Sequence, residues 1–458
     1  MSILEPSRRY WPLITAAAVF TLCLALVTAA RADETCMSPY MAKIVGQEDF
    51  IYVWTLGVPG VGDEQDKLVT VDVNPNSQNH GKVVNKLSVG GRNEAHHSGF
   101  TDDRMYLWAS GIDTSKIFVF DVHTDPAKPT LHKKIEDFVA KSGGLVGPHT
   151  LYALPGRMML TGLSNNKDHG GQTAMVEYTN DGTYVATHWM PRDDRLEGAT
   201  KSGKFADGYG YDVRAFPRLN ALVTSSFTGW NNYMMNLGKV MADPEAMKHF
   251  GNTVVIWDLH TKKPKKILDA PGAPLEIRCA WGAQHDYCFT ATALTSKIYL
   301  ISRDLGGDWK AEAVADIGDA SKIPLPVDIS ISADDTRLWV DTWNDGMTHL
   351  YDVSDPHHPK QIFEEKIGGQ LNMVSQSWDG KRVYFTSSLL ANWDKIEGED
   401  LQFFKAYSFD GTKLKPEFAI DFTKEKLGAP HQMRFGAYAL YGLAPAMEKD
   451  SRVASAER

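Results

Sequence analysis

A repeated strand–turn–strand pattern constrains the fold of this chain more than any other feature of its sequence. Seven segments contain an apolar strand, a polar turn and a second, more polar strand. The four clearest copies are LVTVDVNPNSQNHGKVVNKLSVGG, KIFVFDVHTDPAKPTLHKKIED, TVVIWDLHTKKPKKILD and HLYDVSDPHHPKQIFEEKIGG, and the looser ones are AMVEYTNDGTYVATHWM, KIYLISRDLGGDWKAEAVADIG and FFKAYSFDGTKLKPEFAIDF. Their spacing of about fifty residues is the period of propeller blades. The pattern therefore predicts an all-β fold.

The two ends of the chain predict how the ring of blades closes. Each copy supplies the outer two strands of a four-stranded blade, and a preceding pattern supplies the inner two. The first copy is preceded only by FIYVWTLG, whereas the last is followed by the extra strand HQMRFGAYALYGL. Closure of the first blade by this C-terminal strand leaves no open sheet edge. We therefore expect residues 33–445 to form a seven-bladed β-propeller closed by the C-terminal strand.

The N-terminus has the pattern of an export signal. Residues 1–32 combine Arg8 and Arg9 with the apolar run LITAAAVFTLCLALV and an Ala-Arg-Ala cleavage pattern. The alternative is an uncleaved membrane anchor, for which the apolar run is just long enough. We expect a signal peptide, a periplasmic protein without stable membrane association after cleavage, and a flexible tail over residues 446–458.

The charge of the chain excludes one class of partner. The formal net charge is −9, and lysine and arginine do not form runs. Such a chain is a poor binder of nucleic acid. A small-molecule partner is expected instead, and assembly into a homo-oligomer is left open.

The cysteines leave two questions open. Cys279 and Cys288 flank the turn AWGAQHDY and face each other if the turn closes a hairpin. An exported protein can form a disulfide there, but two buried thiols agree equally well with the spacing. Cys36 is then an odd thiol near the start of the mature chain, and it either touches the functional site or is inert.

Ionisable residues recur at the first positions of the predicted inner strands, which we call the heads of these strands. These residues are His96, His97, His149, Asp212, Glu276, Asp328 and His431. Inner strands line the axis of a propeller, so their heads converge on one mouth of its channel. Imidazole binds copper, zinc, iron and nickel, and the histidines His96, His97, His149 and His431 therefore predict a metal site. Adjacent residues of a strand point to opposite faces, so His96 and His97 share one metal only if the strand bends or starts there.

The carboxylates Glu276 and Asp328 allow two interpretations. Glu276 and Asp328 are ligands, anchors for a histidine or proton shuttles in the first reading. In the second they form salt bridges with a channel arginine such as Arg278 or Arg434. The residues alone do not decide between these roles.

Two segments depart from the blade pattern. Residues 228–250 are expected to form an insertion with a short helix, and residues 390–402 a polar loop with an exposed Trp393. Insertions in propellers lie on one face and often cover the site.

Several motifs resemble those of a known family. They are AHHSGF, KIFVFDVHTDPAKPTLHKKIE, PLEIR, LPVDISISADDTRLW, YDVSDPHHP and SWDGKRVYFTSSLLANWDK. They look like the selenium-binding protein family, and the resemblance extends over nearly all of the mature chain. It implies a seven-bladed propeller and, as in the oxidase members, a copper-dependent reaction. In that reaction methanethiol, O2 and water become formaldehyde, hydrogen sulfide and hydrogen peroxide.

The resemblance also implies roles for individual residues. Those that match the family's motifs are His96, His97, His149, His431, Glu276, Asp328 and the early cysteine Cys36. It implies copper ligation by the four histidines and catalytic roles for Cys36, Glu276 and Asp328. Thr55 stands where the animal proteins have a cysteine associated with selenium, and Tyr152 replaces a family histidine. These departures argue against selenium binding at Thr55.

Three hypotheses follow for function. The first is a copper-dependent methanethiol oxidase. The second is a non-enzymatic copper- or selenium-binding protein that uses the same histidines. The third is a lactonase-type propeller hydrolase with a calcium or zinc site, against which the excess of imidazole over carboxylate argues.

Overall fold

The computed structural model describes residues 37–165, 172–191, 208–395, 398 and 400–443. These residues form 28 strands in seven four-stranded antiparallel sheets. The strands are β1 Phe50–Leu56, β2 Lys67–Asp72, β3 Lys82–Ser88, β4 Ala95–Phe100, β5 Tyr106–Gly111, β6 Lys116–Asp121, β7 Thr130–Ile135, β8 Leu145–Leu154, β9 Arg157–Asn165, β10 Ala174–Thr179, β11 Tyr184–Trp189, β12 Val213–Phe216, β13 Ala221–Thr224, β14 Thr253–Asp258, β15 Pro264–Asp269, β16 Pro274–Cys279, β17 Tyr287–Thr292, β18 Lys297–Arg303, β19 Trp309–Asp316, β20 Pro326–Ile331, β21 Arg337–Thr342, β22 Met347–Asp352, β23 Lys360–Lys366, β24 Leu371–Gln376, β25 Arg382–Ser387, β26 Phe403–Phe409, β27 Leu414–Asp421 and β28 Ala429–Gly436.

The sheets are the blades of a seven-bladed β-propeller, as predicted. Blade 1 has the strand order β28-β1-β2-β3, and blades 2 to 7 each use four consecutive strands from β4 to β27. The innermost strands β28, β4, β8, β12, β16, β20 and β24 contact one another in that order around the channel. The C-terminal strand closes the ring, because β28 pairs with β1 in a register that places Tyr52 opposite Arg434. The predicted closure is confirmed.

Burial decreases from the channel outward, which explains the sequence pattern. Every residue of the innermost strands β4, β20 and β24 is buried. The outermost strands β3 and β23 are partly exposed, and each contains two lysines. Aspartates form the turns that follow the third strands of two blades: Asp121 and Asp258 each accept hydrogen bonds from backbone N–H groups two and three residues further on.

Helices are short and cluster in one insertion of the described chain. They are α1 Phe138–Ser142, α2 Trp230–Met234, α3 Leu237–Ala242 and α4 Pro244–Met247, with 3₁₀ turns at Pro217–Leu219, Ala320–Lys322 and Tyr438–Tyr441. Three of the four α-helices lie within residues 228–250, as expected for an insertion. No helix among the described residues is long and apolar enough to cross a membrane.

The predicted exposure of Trp393 is wrong. Its side chain is 5% exposed, because the indole packs against Phe227 with ring centroids 5.8 Å apart and donates a hydrogen bond to the Met235 carbonyl at 3.1 Å. The loop that contains Trp393 therefore folds onto the 228–250 insertion.

The open question about the cysteine pair is answered by the hairpin of β16 and β17. Cys279 and Cys288 are direct partners in its register and form a disulfide, with Cα atoms 3.9 Å apart. The predicted signal peptide over residues 1–32, the thiol of Cys36 and the tail over residues 446–458 lie outside the described residues.

Candidate metal centre

Four histidines from three neighbouring blades meet in the channel. His96 and His97 lie on β4, His149 on β8 and His431 on β28, and all four are at most 2% exposed. The ring centroids of His97 and His149 are 3.9 Å apart, and those of His96 and His431 are 3.8 Å apart. The predicted convergence of the histidine-bearing strand heads is therefore what the structure shows.

The cluster contains a tighter trio. One nitrogen atom from each of His96, His97 and His149 lies within 4.8 Å of the others. His431 is not part of this trio and stacks on the His96 ring. Ligation of a metal by all four residues remains a prediction.

A β-bulge lets the adjacent residues His96 and His97 share one site. Between Ala95 and Ser98, strand β4 has one more residue than its partner β5. Such a bulge breaks the alternation of side chains and re-aims them. The two imidazole rings consequently stack at 14° with centroids 5.0 Å apart instead of pointing to opposite faces.

The bulge recurs at the heads of six inner strands. Each has one extra residue relative to its neighbour, at or next to His96, His149, Glu276, Asp328, Asn372 and His431. Hydroxyls of the second strand pair with the backbone that the bulge frees. Ser110 Oγ accepts from the His97 N–H at 3.2 Å and donates to its carbonyl at 3.1 Å, and Thr161 Oγ1 accepts from the Thr150 N–H at 3.1 Å.

Backbone carbonyls orient two of the imidazoles. His149 Nδ1 lies 2.9 Å from the Tyr211 carbonyl, and His431 Nδ1 lies 2.8 Å from the Ser388 carbonyl. A carbonyl accepts only, so both rings hold their proton on Nδ1 and present the Nε2 lone pair. Neither Nε2 has a hydrogen-bond partner among the described residues.

All four imidazoles are held neutral. Burial lowers the pKa of His149 to about 4, although the nearby Glu276 carboxylate opposes this shift. Burial followed by the nearby His149 lowers the pKa of His431 to about 3. Burial and the neighbouring imidazoles also lower the pKa values of His96 and His97 well below the usual range. Neutral imidazole is the form that binds metal.

A layer of acids and arginines lies directly beneath the histidines. Its members are Asp212, Arg214, Glu276, Arg278 and Asp328, all at most 3% exposed. Glu276 Oε1 lies 3.5 Å from His97 Nε2, and Glu276 Oε2 accepts from Arg278 at 2.8 Å and from Arg214 at 3.1 Å. Burial alone raises the pKa of Glu276, but the two arginines and His149 lower it to about 2. Glu276 is therefore an ionised carboxylate beside His97.

Asp328 belongs to this layer but not to the histidine cluster. It accepts from Arg278 Nη2 at 2.8 Å and from the Val374 N–H at 3.0 Å. The sequence allowed these acids either to contact a histidine or to form a salt bridge with a channel arginine. Glu276 does both, because it lies beside His97 and pairs with Arg278, whereas Asp328 pairs with Arg278 alone among these groups.

The predicted site residue Cys36 falls outside the described part of the chain. Its neighbour Met37 lines a pocket with Tyr152, Arg214 and Arg278 at the end of the channel opposite the histidines. Next in the chain, Ser38 Oγ donates to the Ala153 carbonyl at 2.7 Å. These contacts place the start of the described chain beyond the acid–arginine layer.

An apolar pocket opens on the other side of the histidine cluster. Most of its lining side chains are apolar, and His96 and Tyr211 form its floor next to the cluster. The Tyr211 ring centroid lies 4.1 Å from that of His149. The sequence did not predict this pocket or the contacts of His431 Nδ1 with Asn372 and with the Ser388 carbonyl. Asn372 lies at the head of β24, as Glu276 and Asp328 lie at the heads of β16 and β20. This position is a signal that could have identified its contact with His431.

A seven-bladed propeller with a buried cluster of neutral imidazoles in its channel is the class of protein that this fold and site define. Residues 30–438 match the sequence model of the 56 kDa selenium-binding protein family. The chain belongs to that family.

Relatives and solved structures agree with this assignment. The chain is 61% identical to a methanethiol oxidase of Ruegeria pomeroyi over 93% of this chain and 98% of that protein. It is 56% identical to a methanethiol oxidase of a Hyphomicrobium species over 93% of this chain and 95% of that protein. The X-ray structure of a hypothetical selenium-binding protein from Sulfolobus tokodaii is 25% identical, with a TM-score of 0.74 over 87% of this chain and 96% of that one.

A more distant likeness shows the fold alone. A periplasmic gluconolactonase from Pseudomonas aeruginosa is 11% identical, with a TM-score of 0.58 over 85% of this chain and 99% of that one.

Proposed function

We propose that this chain is a copper-dependent methanethiol oxidase. The reaction converts methanethiol, O2 and water to formaldehyde, hydrogen sulfide and hydrogen peroxide. The observation that carries the proposal is a buried cluster of neutral imidazoles that opens onto an apolar pocket. High identity to two bacterial methanethiol oxidases over almost the whole chain supports the same activity.

The residues of the cluster fit a copper ion. Their donors are imidazole nitrogens, and the Nε2 atoms of His149 and His431 and both ring nitrogens of His97 lack a hydrogen-bond partner among the described residues. Buried polar atoms without partners are costly, and a bound metal ion removes that cost for those that ligate it. When bound, copper supplies the one-electron redox chemistry that the reduction of O2 requires. An all-nitrogen donor set suits copper and zinc, so the oxidase activity of the relatives is what favours copper.

The acid–arginine layer has an electrostatic role in this proposal. Glu276 stays ionised at neutral pH and lies beside His97, so it offsets positive charge at the cluster. A carboxylate with such a low pKa is a weak base, which argues against a role as the main proton acceptor. Asp328 is a positioning residue in this scheme, because it holds Arg278, which holds Glu276.

The apolar pocket determines what reaches the histidines. Methanethiol and O2 are small and uncharged, and both partition readily into an apolar space. Residues 1–32 support export, so we place this reaction in the periplasm. Cell fractionation with an antibody against the mature chain tests this location, and recovery in the cytoplasm would contradict it.

The activity is tested on the purified, copper-loaded protein. Metal analysis and EPR report the copper content, and an oxygen electrode with a formaldehyde assay reports turnover of methanethiol. We expect His149→Ala to lose most of the copper and of the oxygen consumption. His123→Ala is the matched control, because His123 lies in an outer turn and its nitrogen faces Asp121.

Three outcomes separate the hypotheses. Copper with oxygen consumption in the wild type, both lost in His149→Ala, supports the oxidase. Copper without oxygen consumption indicates a binding protein. Stoichiometric zinc or calcium that copper does not replace would overturn the copper proposal.

A further inference from the structure

The apolar pocket above the histidines is closed by two segments outside the blade pattern. We call residues 228–250 and 388–395 the roof. Its side chains on the pocket are Tyr233, Leu237, Met241, Phe250, Leu389, Leu390 and Trp393, and the propeller supplies His96, Tyr211, Phe227, Leu275, Ala293, Leu294, Leu325 and Val327. None of these described lining residues is an aspartate, glutamate, lysine or arginine.

Hydrogen bonds join the two roof segments to each other. Trp393 Nε1 donates to the Met235 carbonyl at 3.1 Å, and Asn392 Nδ2 donates to the Tyr233 carbonyl at 3.3 Å. Asn236 Nδ2 donates to the Asn392 carbonyl at 3.4 Å. The base of the second segment is fixed by Asp394, which accepts from Ser388 Oγ at 2.6 Å and from the Leu389 N–H at 2.9 Å. The two segments therefore form one structure over the cluster.

Trp393 is the largest side chain of the second segment on this pocket. It packs against Phe227, whose ring also contacts Tyr211 on the floor with centroids 5.5 Å apart. The hydroxyl of Tyr233, from the other segment, is buried and has no hydrogen-bond partner among the described residues. A buried hydroxyl without a partner beside an apolar pocket indicates a ligand with one weakly polar atom.

We propose that the roof selects small uncharged thiols and that Trp393 is the wall that limits their size. This inference rests on the proposed function, because it concerns access to the same histidines. An alkyl chain longer than methyl meets the indole, whereas the thiols of cysteine or glutathione bring charges into a pocket without counter-charges. Burial of unpaired charge is strongly unfavourable, so these thiols are excluded by their carboxylate and ammonium groups.

The test measures binding to the metal-free protein with thioethers, which have the shape of the thiols but are not oxidised. Saturation-transfer NMR gives the Kd values of dimethyl sulfide, butyl methyl sulfide and S-methylglutathione. In the wild type we expect dimethyl sulfide to bind about tenfold or more tighter than butyl methyl sulfide, as small differences in alkyl size give in apolar pockets, and S-methylglutathione not to bind. In Trp393→Ala the order of the first two is expected to reverse.

Two variants separate wall volume from other effects. Trp393→Phe loses the hydrogen bond to Met235 but keeps an aromatic wall, so the wild-type order is expected to remain. Trp189→Ala removes a tryptophan that is 41% exposed and lies outside the pocket, and it should change nothing. If Trp393→Ala does not fold, Leu390→Ala enlarges the same pocket and is expected to tighten butyl methyl sulfide binding relative to dimethyl sulfide.

The outcomes distinguish this inference from the proposed activity. Failure of the wild type to bind dimethyl sulfide, or an unchanged ratio of the two affinities in both enlarged variants, would overturn the inference even if methanethiol is oxidised. The expected affinities without any oxidation would sustain the inference and overturn the activity. With copper-loaded protein, kcat/KM for methanethiol and butanethiol should change in the same direction as the binding constants.

Discussion

Glu276 Oε1 lies 3.5 Å from His97 Nε2, and both residues are 1% exposed. The carboxylate is held between this imidazole and the guanidinium groups of Arg214 and Arg278. It therefore connects the histidine cluster to the charged layer beneath it.

Replacement of this carboxylate by an amide tests the connection. Glu276→Gln keeps the shape but leaves two buried arginines with one fewer negative charge, and it removes the charge beside His97. Loss of such an outer carboxylate typically lowers metal affinity by about 10- to 100-fold, and we expect a change of that size. A competition titration with a copper chelator measures it. Glu312→Gln, on the exposed side of β19, is the control, and equal affinity in both variants would contradict the role of Glu276.

Ser110 tests the bulge that places His96 and His97 together. Its hydroxyl pairs with both the N–H and the carbonyl of His97, so Ser110→Ala leaves buried backbone groups without this partner. We expect the free energy of unfolding to fall by about 1–3 kcal/mol and copper affinity to fall with it. Denaturant unfolding and the chelator titration report the two effects. Ser321→Ala at an exposed position is the control, and wild-type affinity in Ser110→Ala would show that the bulge does not depend on this hydroxyl.

The low pKa values of the histidines predict how copper binding depends on pH. A free imidazole with a pKa near 6.5 is half protonated at that pH and loses its metal as pH falls further. Here His149 and His431 remain neutral until pH falls to about 4 and about 3. We therefore expect copper to be retained at pH 5 and released as pH falls through about 4. Copper content after gel filtration at each pH measures this, with a histidine peptide as reference, and release near pH 6 would contradict it.

The low pKa values of the histidines make the metal-free protein less stable at acidic pH, although they favour copper binding there. The unfolded chain takes up protons on these histidines below pH 6.5, whereas the folded chain does not. The free energy of unfolding of the metal-free protein therefore decreases as pH falls from about 6.5 towards 4. Thermal melts over this range are expected to show a falling melting temperature.

The sequence predicted the parts of this fold that depend on periodicity. The blade count, the closure by β28 and the convergence of His96, His149 and His431 all follow from a repeat that places equivalent residues at equivalent heads. The bulge at His96 and His97 did not follow, because strand alternation alone sends adjacent side chains to opposite faces. The sequence indicates that His96 and His97 can share one site only if the strand bends, but it does not show that the strand bends.

The roof shows a second limit of sequence reasoning. Trp393 was expected to be exposed because its neighbours are polar, but its environment is set by the 228–250 insertion, more than 140 residues away in the chain. Contacts between two insertions have no period, so they follow from packing in three dimensions and not from a local pattern. The acids show the same limit, because contacts in three dimensions distinguish them: Glu276 lies beside His97, whereas Asp328 does not.

Ring closure by β28 leads to the last prediction. Deletion of residues 428–458 removes the inner strand of blade 1 together with His431, and it leaves the inner edge of β1 without its partner. An unpaired buried strand edge favours aggregation, so we expect this truncated protein to be largely insoluble. Deletion of residues 444–458 keeps every described strand and is the control, expected to remain soluble and to bind copper. The soluble fraction and the thermal melt of the two proteins decide the question. A soluble, cooperatively melting protein without residues 428–458 would mean that the remaining strands close the ring without β28.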